Sequence, residues 1–226
     1  MKRFKIHFQE NSNNWNITLL VLVVFEIFLI PFFPITWHRV LYAIAYTFIY
    51  LAASFAVARN RKWLKQLAVT ALLFQWGCFI FNLAVLIWIS SVVNVVFFCL
   101  IVIDIIRQLV RAPTVSVRVI LESIIAYLLV GLTFVMLITL VMAVDSGAFS
   151  FARIITPDPG HMSHISEYIY FTFITMCTVG YGDIIPLEPY SRSITILISV
   201  TGQLYIAIII AILVGKYSSQ IHYPSE

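Results

Sequence analysis

The chain's 226 residues are 62% hydrophobic and only 11% charged. A water-soluble domain of this size carries about 25% charge, so the composition excludes one and places most of the chain in a bilayer. The net charge of +4 comes from basic residues spread among apolar segments, a placement that suits membrane topology and not nucleic-acid binding.

Met1 to Asn16 is polar and basic, and the apolar run after it is too long for a signal-peptide core. A cytoplasmic N-terminus over 1–16 and a retained first span are therefore expected. A spanning helix needs about 20 mostly apolar residues. The first is placed at Ile17 to Ile35, stopped by Pro31 and Pro34, and the second at Val40 to Ala58. A basic hinge follows, Arg59-Asn60-Arg61-Lys62 with Lys65. Gln66 to Ile106 has hardly a charge and is long enough for two spans, with Ser90, Ser91 and Asn94 as the polar turn between them. The fifth segment, Val115 to Val144, is long enough to tilt or protrude; the last runs from Arg192 to Lys216.

Between the last two lies a polar loop, Asp145 to Ile165, with the breaker Pro157-Asp158-Pro159-Gly160. Ser166 to Cys177 is apolar but only 12 residues long, too short to span and suited to a re-entrant helix. Ser166 is the expected N-cap, with Glu167 on the positive end of the helix dipole. Counting Lys and Arg near segment ends sets the orientation. With the N-terminus inside, Lys2, Arg3, Lys5, Arg59, Arg61, Lys62, Lys65, Arg107, Arg111, Arg118 and Lys216 are inner, and only Arg39, Arg153 and Arg192 are outer. Both termini are then cytoplasmic, and the loop after the re-entrant helix faces outward.

That loop is Thr178-Val179-Gly180-Tyr181-Gly182-Asp183. Non-helical backbone at membrane depth survives only where it is buried in protein or lines a water or ion path. Its glycines reach φ > 0 at little cost, which lets successive carbonyls aim at one axis. One such loop cannot encircle an ion and no second copy exists in the chain, so four chains around an axis are expected.

With the preceding Thr175-Met176-Cys177, this stretch resembles the potassium channel superfamily, and Val115 to Lys216 resembles its pore module. The resemblance implies an all-α membrane protein: six transmembrane helices plus a re-entrant pore helix and selectivity filter, in a homotetrameric pore. It divides the chain into a four-helix transmembrane domain over 17–111, a pore domain over 112–217 and a short cytoplasmic tail over 218–226. It also implies that the carbonyls of Thr178, Val179, Gly180 and Tyr181 bind K⁺, with Gly182 completing the filter. Tyr181 would brace the filter against the pore helix, and Tyr170 would bond Asp183 at the mouth. Cys177 stands where most members carry a second Thr, which puts conductance and internal block in question more than selectivity. Thr201 to Ala207 resembles inner helices of bacterial members, so Gly202 is either a gating hinge or a close-packing position; Gly215 is read as a helix terminator. Ala207 and Ala211 either line the pore or pack on the fifth segment.

The fourth segment lacks the repeated Arg of voltage-sensing helices, since Arg107 and Arg111 lie only at its end. Moving one charge across the field is worth about 2.3 kcal/mol per 100 mV, so steep voltage gating needs more charges than this helix has. Glu26, alone in the first span, is a functional candidate by depth; otherwise it is protonated or bonded to Asn82, Gln75 or a Tyr. Asp104 with Arg107 suggests a local ion pair, and Glu122, one turn beyond Arg118, pairs with it or with the linker. His161 and His164 are expected as solvated loop residues. An excess of acid at the mouth (Asp145, Asp158, Glu167, Asp183 and Glu188) would concentrate cations. Cys78 and Cys99 read as apolar packing.

No nucleophile, metal cluster or phosphate loop is seen, so no enzyme and no cofactor is expected, only K⁺ as permeant ion. The expected partners are three further copies of the chain and the lipid bilayer, with no nucleic acid. The expected location is the plasma membrane, multi-pass, of bacterial inner-membrane type. The alternatives are a weakly selective cation channel, disfavoured by the intact Gly-Tyr-Gly, and a K⁺ transporter subunit. Transporters of that architecture carry four degenerate filter repeats in one chain.

Overall fold

The computed structural model describes residues 15–56, 62–81, 84–151 and 164–222. Six long helices and one short one account for most of them. They are α1 (Trp15–Phe32), α2 (Ile35–Ala56), α3 (Lys62–Phe81), α4 (Ala84–Arg111), α5 (Val117–Val144), the short α6 (Ile165–Met176) and α7 (Pro189–His222). Among the described residues α1, α2, α4, α5 and α7 contain stretches long and apolar enough to cross a membrane. The chain is a multi-pass membrane protein. At 28 residues α5 is about 42 Å long, beyond the roughly 30 Å hydrocarbon core, so it must tilt or protrude.

Local chemistry sets several boundaries. Helix α1 widens into a π-helical turn at Phe25–Leu29, tightens to 3₁₀ over Ile30–Phe32 and stops before Pro34. The His38 ring N–H donates to the Phe33 carbonyl at 2.9 Å, closing the α1–α2 corner.

The polar turn expected at Ser90, Ser91 and Asn94 is not there. Helix α3 ends at Phe81, α4 begins at Ala84, and all three polar residues lie buried inside α4. Asn94 accepts a hydrogen bond from the Tyr50 hydroxyl at 2.7 Å. Asn94 thus serves a contact between helices, which spacing along one segment does not reveal. Two other boundaries also differ. Helix α7 passes through Gly215 to His222, so that glycine terminates nothing and the expected tail is partly helix. Helix α6 starts at Ile165 after His164, with no side-chain cap, so Ser166 is within the helix rather than its N-cap.

The core of the first four helices is aromatic. Tyr50 meets Phe97 edge-on at a centroid distance of 4.7 Å, and Tyr46 meets Phe98 the same way at 6.0 Å. Such pairs contribute about 0.5–1.5 kcal/mol each beyond area burial. Helix α4 packs along α5, and α5 packs against α6 and α7. A polar tie joins α1 to α5. Glu122 accepts from Asn16 Nδ2 at 2.9 Å and from Arg118 Nε at 2.7 Å, so the expected Arg118–Glu122 pair forms.

One feature lies outside an all-α reading. Phe149–Phe151 (β1) pairs antiparallel with Ile184–Pro186 (β2), with Ser150 opposite Ile185. Leu187 N–H extends the pairing to the Ala148 carbonyl at 3.0 Å. This two-stranded clip fastens the end of α5 to the chain just after Asp183.

Candidate functional site: the loop after the short helix

Helix α6 has 12 residues, about 18 Å of rise, which is little more than half a hydrocarbon core. It can reach the middle of a membrane and must then release its chain. Its release is bonded. The N–H of Cys177 goes to the Phe173 carbonyl at 2.9 Å and that of Thr178 to Thr175 at 3.0 Å. Val179 and Gly180 both donate to the Ile174 carbonyl, at 2.8 and 3.3 Å. The orphan carbonyls of the last helical turn thus take up the first amides of the returning strand.

The carbonyls of that strand have no such use. No hydrogen bond from a described residue ends on the carbonyl of Thr178, Val179, Gly180 or Tyr181. The backbone alternates in hand, with φ of 61° at Thr178, 52° at Gly180 and 80° at Gly182. Sequence reading places left-handed backbone only at the glycines; Thr178 is the third position. A β-branched residue there is strained by about 1–3 kcal/mol. Its hydroxyl donates to the Cys177 carbonyl at 2.7 Å. A Cβ on Gly180 or Gly182 would meet nothing within 4 Å. Conformation, not space, therefore requires glycine at both.

Asp183 ends the strand in a fixed pose. Tyr170 on α6 donates to its Oδ2 at 2.6 Å, and the Ile184 amide donates to Oδ1 at 3.0 Å. The expected Tyr170–Asp183 bond is present, and it pushes the Tyr170 phenol up to about 12 by opposing deprotonation beside a carboxylate. Nearby, Asp145 accepts from the Tyr190 hydroxyl and from Gly147 N–H, and these bonds hold its carboxyl below its usual value. Of the loop histidines, His164 is buried rather than solvated, and His161 and Asp158 lie outside the described residues.

Residues 177 to 183 are all exposed within the single chain. Tyr181, expected to pack against α6, is 73% exposed, so its own chain gives it no brace. The Cys177 thiol sits 3.4 Å from the Tyr127 hydroxyl of α5. Ala207 and Ala211 are exposed, and Tyr205, Ile209, Ile212 and Leu213 make the contact toward Leu109 and Val119. The two alanines therefore do not pack on α5.

Two glycines and one lysine position this site. A Cβ on Gly202 would fall 2.4 Å from the Met176 carbonyl oxygen, so the close-packing reason for that glycine is present. A Cβ on Gly131 would fall 2.4 Å from the Phe173 ring; sequence reading passes over Gly131, because nothing local marks it. At the other end of α7, the Lys216 ammonium donates to the carbonyls of Leu109, Val110 and Ala112 at 2.9, 2.8 and 2.6 Å. That charge sits on the negative end of α4.

Residues 138–219 match the family model described as Ion channel. The chain is 32% identical over 81 residues to potassium voltage-gated channel subfamily A member 10 of Mus musculus and of Homo sapiens, covering 36% of this chain and 16% of theirs. It is 31% identical over 81 residues to subfamily A member 7 of Homo sapiens, covering 36% of this chain and 18% of that protein. The chain thus spans about one sixth of the length of the curated relatives it matches. No solved structure matches. The segment from the end of α5 through α7, which holds the loop, is similar to ion channels.

Proposed function

We propose that four copies of this chain form a K⁺-selective channel, passive, not steeply voltage-gated, with Thr178 to Gly182 as its filter. One observation carries the reading: four successive carbonyls, Thr178 to Tyr181, take no hydrogen bond from a described residue while the backbone alternates in hand. In hydrocarbon each unsatisfied carbonyl costs several kcal/mol. Four such strands around an axis turn that cost into coordination, the carbonyls replacing the hydration shell of K⁺. The Thr-Val-Gly-Tyr-Gly loop of K⁺ channels is the standing example of this device.

The exposure of Tyr181 and of α7 supports fourfold assembly. Ile196, Leu197, Val200, Leu204, Ile208 and Val214 are all at least half exposed or nearly so, an apolar surface for lipid and neighbouring copies. In the tetramer Tyr181 packs on an adjacent subunit, Ala207 and Ala211 line the conduit below the filter, and Gly202 is where the inner helix bends if it gates there. The distribution of Lys and Arg favours both termini in the cytoplasm, and the resemblance of Thr201 to Ala207 to bacterial inner helices favours a bacterial-type plasma membrane. The protein is a channel and not an enzyme in this reading; it uses no cofactor, and K⁺ is its cargo.

Purified protein in planar bilayers under a K⁺/Na⁺ gradient tests this. The reversal potential is expected to follow the K⁺ gradient and to ignore Na⁺. A potential that follows both ions equally removes selectivity and leaves a cation channel. A steep voltage dependence of opening would remove the gating part.

A further inference from the structure

Two buried acids among the described residues have partners: Glu122 bonds Arg118 and Asn16, and Asp104 interacts as well. Glu26 differs. It is 0% exposed in the middle of α1, and neither carboxyl oxygen takes a hydrogen bond of ordinary geometry from a described residue. It lies on the π-helical turn Phe25–Leu29, a local irregularity that is found often at functional positions. A carboxylate left without donors in an apolar interior is the costliest form of that group. Native proteins keep an orphaned buried polar atom for a reason.

The groups around it form a line. His38, Tyr42, Tyr46 and Tyr50 recur every four residues on α2 and so share one face. The Tyr46 hydroxyl interacts with Glu26. Tyr42 interacts electrostatically with Glu26 and with Glu167 of α6. The Tyr42 and Tyr46 hydroxyls and His38 Nδ1 are buried without hydrogen-bond partners, as Glu26 is. Because His38 Nε2 donates to the Phe33 carbonyl, Nδ1 is the acceptor nitrogen of that ring. Tyr50, one step beyond Glu26, is occupied by Asn94, so the line ends there. In the other direction it opens. His38 lines a cavity of about 660 Å³ together with Phe33, Glu167, Tyr170 and Asp183, at the same end of the molecule as the filter loop. From His38 to Tyr46 the helix rises only about 12 Å.

We propose that Glu26 is a proton-binding site fed from the filter end through His38, Tyr42 and Tyr46, and that its protonation acts on the filter. The transfer balances at each step. His38 Nδ1 takes a proton from the cavity and passes it to the Tyr42 oxygen as the Tyr42 hydroxyl gives its own to Tyr46 and the Tyr46 hydroxyl gives its own to Glu26, so that the carboxylate gains one O–H bond and His38 returns to neutral. No charge remains on either tyrosine. The titratable groups facing Glu26 are Tyr42, Tyr46 and Tyr50 of α2, with Glu167 of α6 acting through Tyr42; no charged group of α3, α4 or α5 among the described residues bears on it. The route to the filter is the cavity wall itself, since Tyr170 and Asp183 form part of it. That last clause rests on the proposed channel function; the proton site does not.

The experiment is pH-difference infrared spectroscopy on the full chain in liposomes, between about pH 5 and pH 9, in H₂O and D₂O. A buried carboxylic C=O band that rises reversibly with acid is expected in the wild type, lost in Glu26→Gln and shifted in Tyr46→Phe. No such band, or the same band in both variants, overturns the site. Where Glu26→Gln fails to fold, the Tyr46→Phe spectrum alone decides. K⁺ efflux from the same liposomes under external acid steps reads the second part: the response is expected in the wild type and lost in the variants. Conducting wild-type protein with efflux flat across the range overturns the action on the filter. If the protein conducts nothing, the channel reading fails while the infrared result still stands for Glu26.

Discussion

Gly202 on α7 rests directly on Met176, the last residue of α6. A side chain at 202 would place its Cβ 2.4 Å from the Met176 carbonyl oxygen and 2.7 Å from its Cγ. The obstacle is partly backbone, and Met176 is 0% exposed, so it has nowhere to yield. The inner helix therefore holds the base of the filter loop by contact.

Gly202→Ala is accordingly expected to destabilise the protein by about 1–3 kcal/mol, the usual cost of overpacking, and to disturb the carbonyls above Met176. Gly215→Ala is the control on the same helix. It meets no atom within 4 Å, and Ala exceeds Gly in helix propensity by about 1 kcal/mol. Thermal unfolding in detergent should move down for the first and stay level or move up for the second. Equal shifts would mean that the Met176 contact does not matter.

Tyr170→Phe removes the donor to Asp183 and leaves the ring. K⁺ flux is expected to start normally and then decline faster than in wild type, most of all at low external K⁺, because the mouth of the filter is no longer tied to α6. Identical decay in the two proteins would dissociate the bond from filter stability.

The same bond gives a pH expectation. The Tyr170 phenol is pushed from its ordinary value of 10 up to about 12. A raised value in the folded protein means that the bond's contribution is complete below about pH 10 and is lost as pH rises through about 12. Flux decay should be flat with external pH from neutral to about 9.5 as far as Tyr170 is concerned, and steepen only in stronger alkali. Ultraviolet titration of the wild type against Tyr170→Phe checks the assignment.

Lys216→Met keeps length and apolar packing but strips three carbonyls at the end of α4 of their donor. Loss of those charge-assisted bonds should lower stability by about 1–3 kcal/mol. Lys216→Arg should recover part of this, because a planar guanidinium matches three converging carbonyls less well than a rotatable ammonium. Chemical denaturation in mixed micelles, or the temperature at which the α7 end becomes protease-sensitive, reads the order wild type, Arg, Met.

Cys177 is exposed beside the first filter residue. In protein lacking Cys78 and Cys99, a small thiol reagent added from the cytoplasmic side should reduce current. Unchanged current with labelling confirmed by mass would place the thiol away from the conduction path. Its contact with the Tyr127 hydroxyl predicts that Tyr127→Phe alters the labelling rate.

Much of this protein was legible from its order of residues because the bilayer constrains so narrowly what an apolar chain can do. Runs of apolar residues near the required length had to be helices, Ser166 to Cys177 was too short to cross, and the glycines of Thr178-Val179-Gly180-Tyr181-Gly182 had to accommodate backbone that no helix provides. The Arg118–Glu122 pair was readable from its four-residue separation and opposite charges, and the Tyr170–Asp183 bond from the resemblance to the channel superfamily. What escaped needed a third dimension. Ser90, Ser91 and Asn94 signalled a turn when taken along the chain, and a buried helix face when α2 supplied Tyr50. Gly131 against Phe173, Lys216 on the end of α4, and the pairing of Phe149–Phe151 with Ile184–Pro186 each join segments that nothing in the local sequence links. The left-handed Thr178 was likewise invisible, since a β-branched residue takes that conformation only when the bonds around it impose it. Sequence alone determined that the chain is built of apolar helices and that it leaves helix after the short α6, because a bilayer leaves an apolar chain few other conformations. Tertiary structure decided which polar groups find partners; among the described residues Glu26, Tyr42, Tyr46 and Thr172 keep buried side-chain oxygens without one. Partnering depends on distances between helices, and periodicity along a single helix carries no record of them.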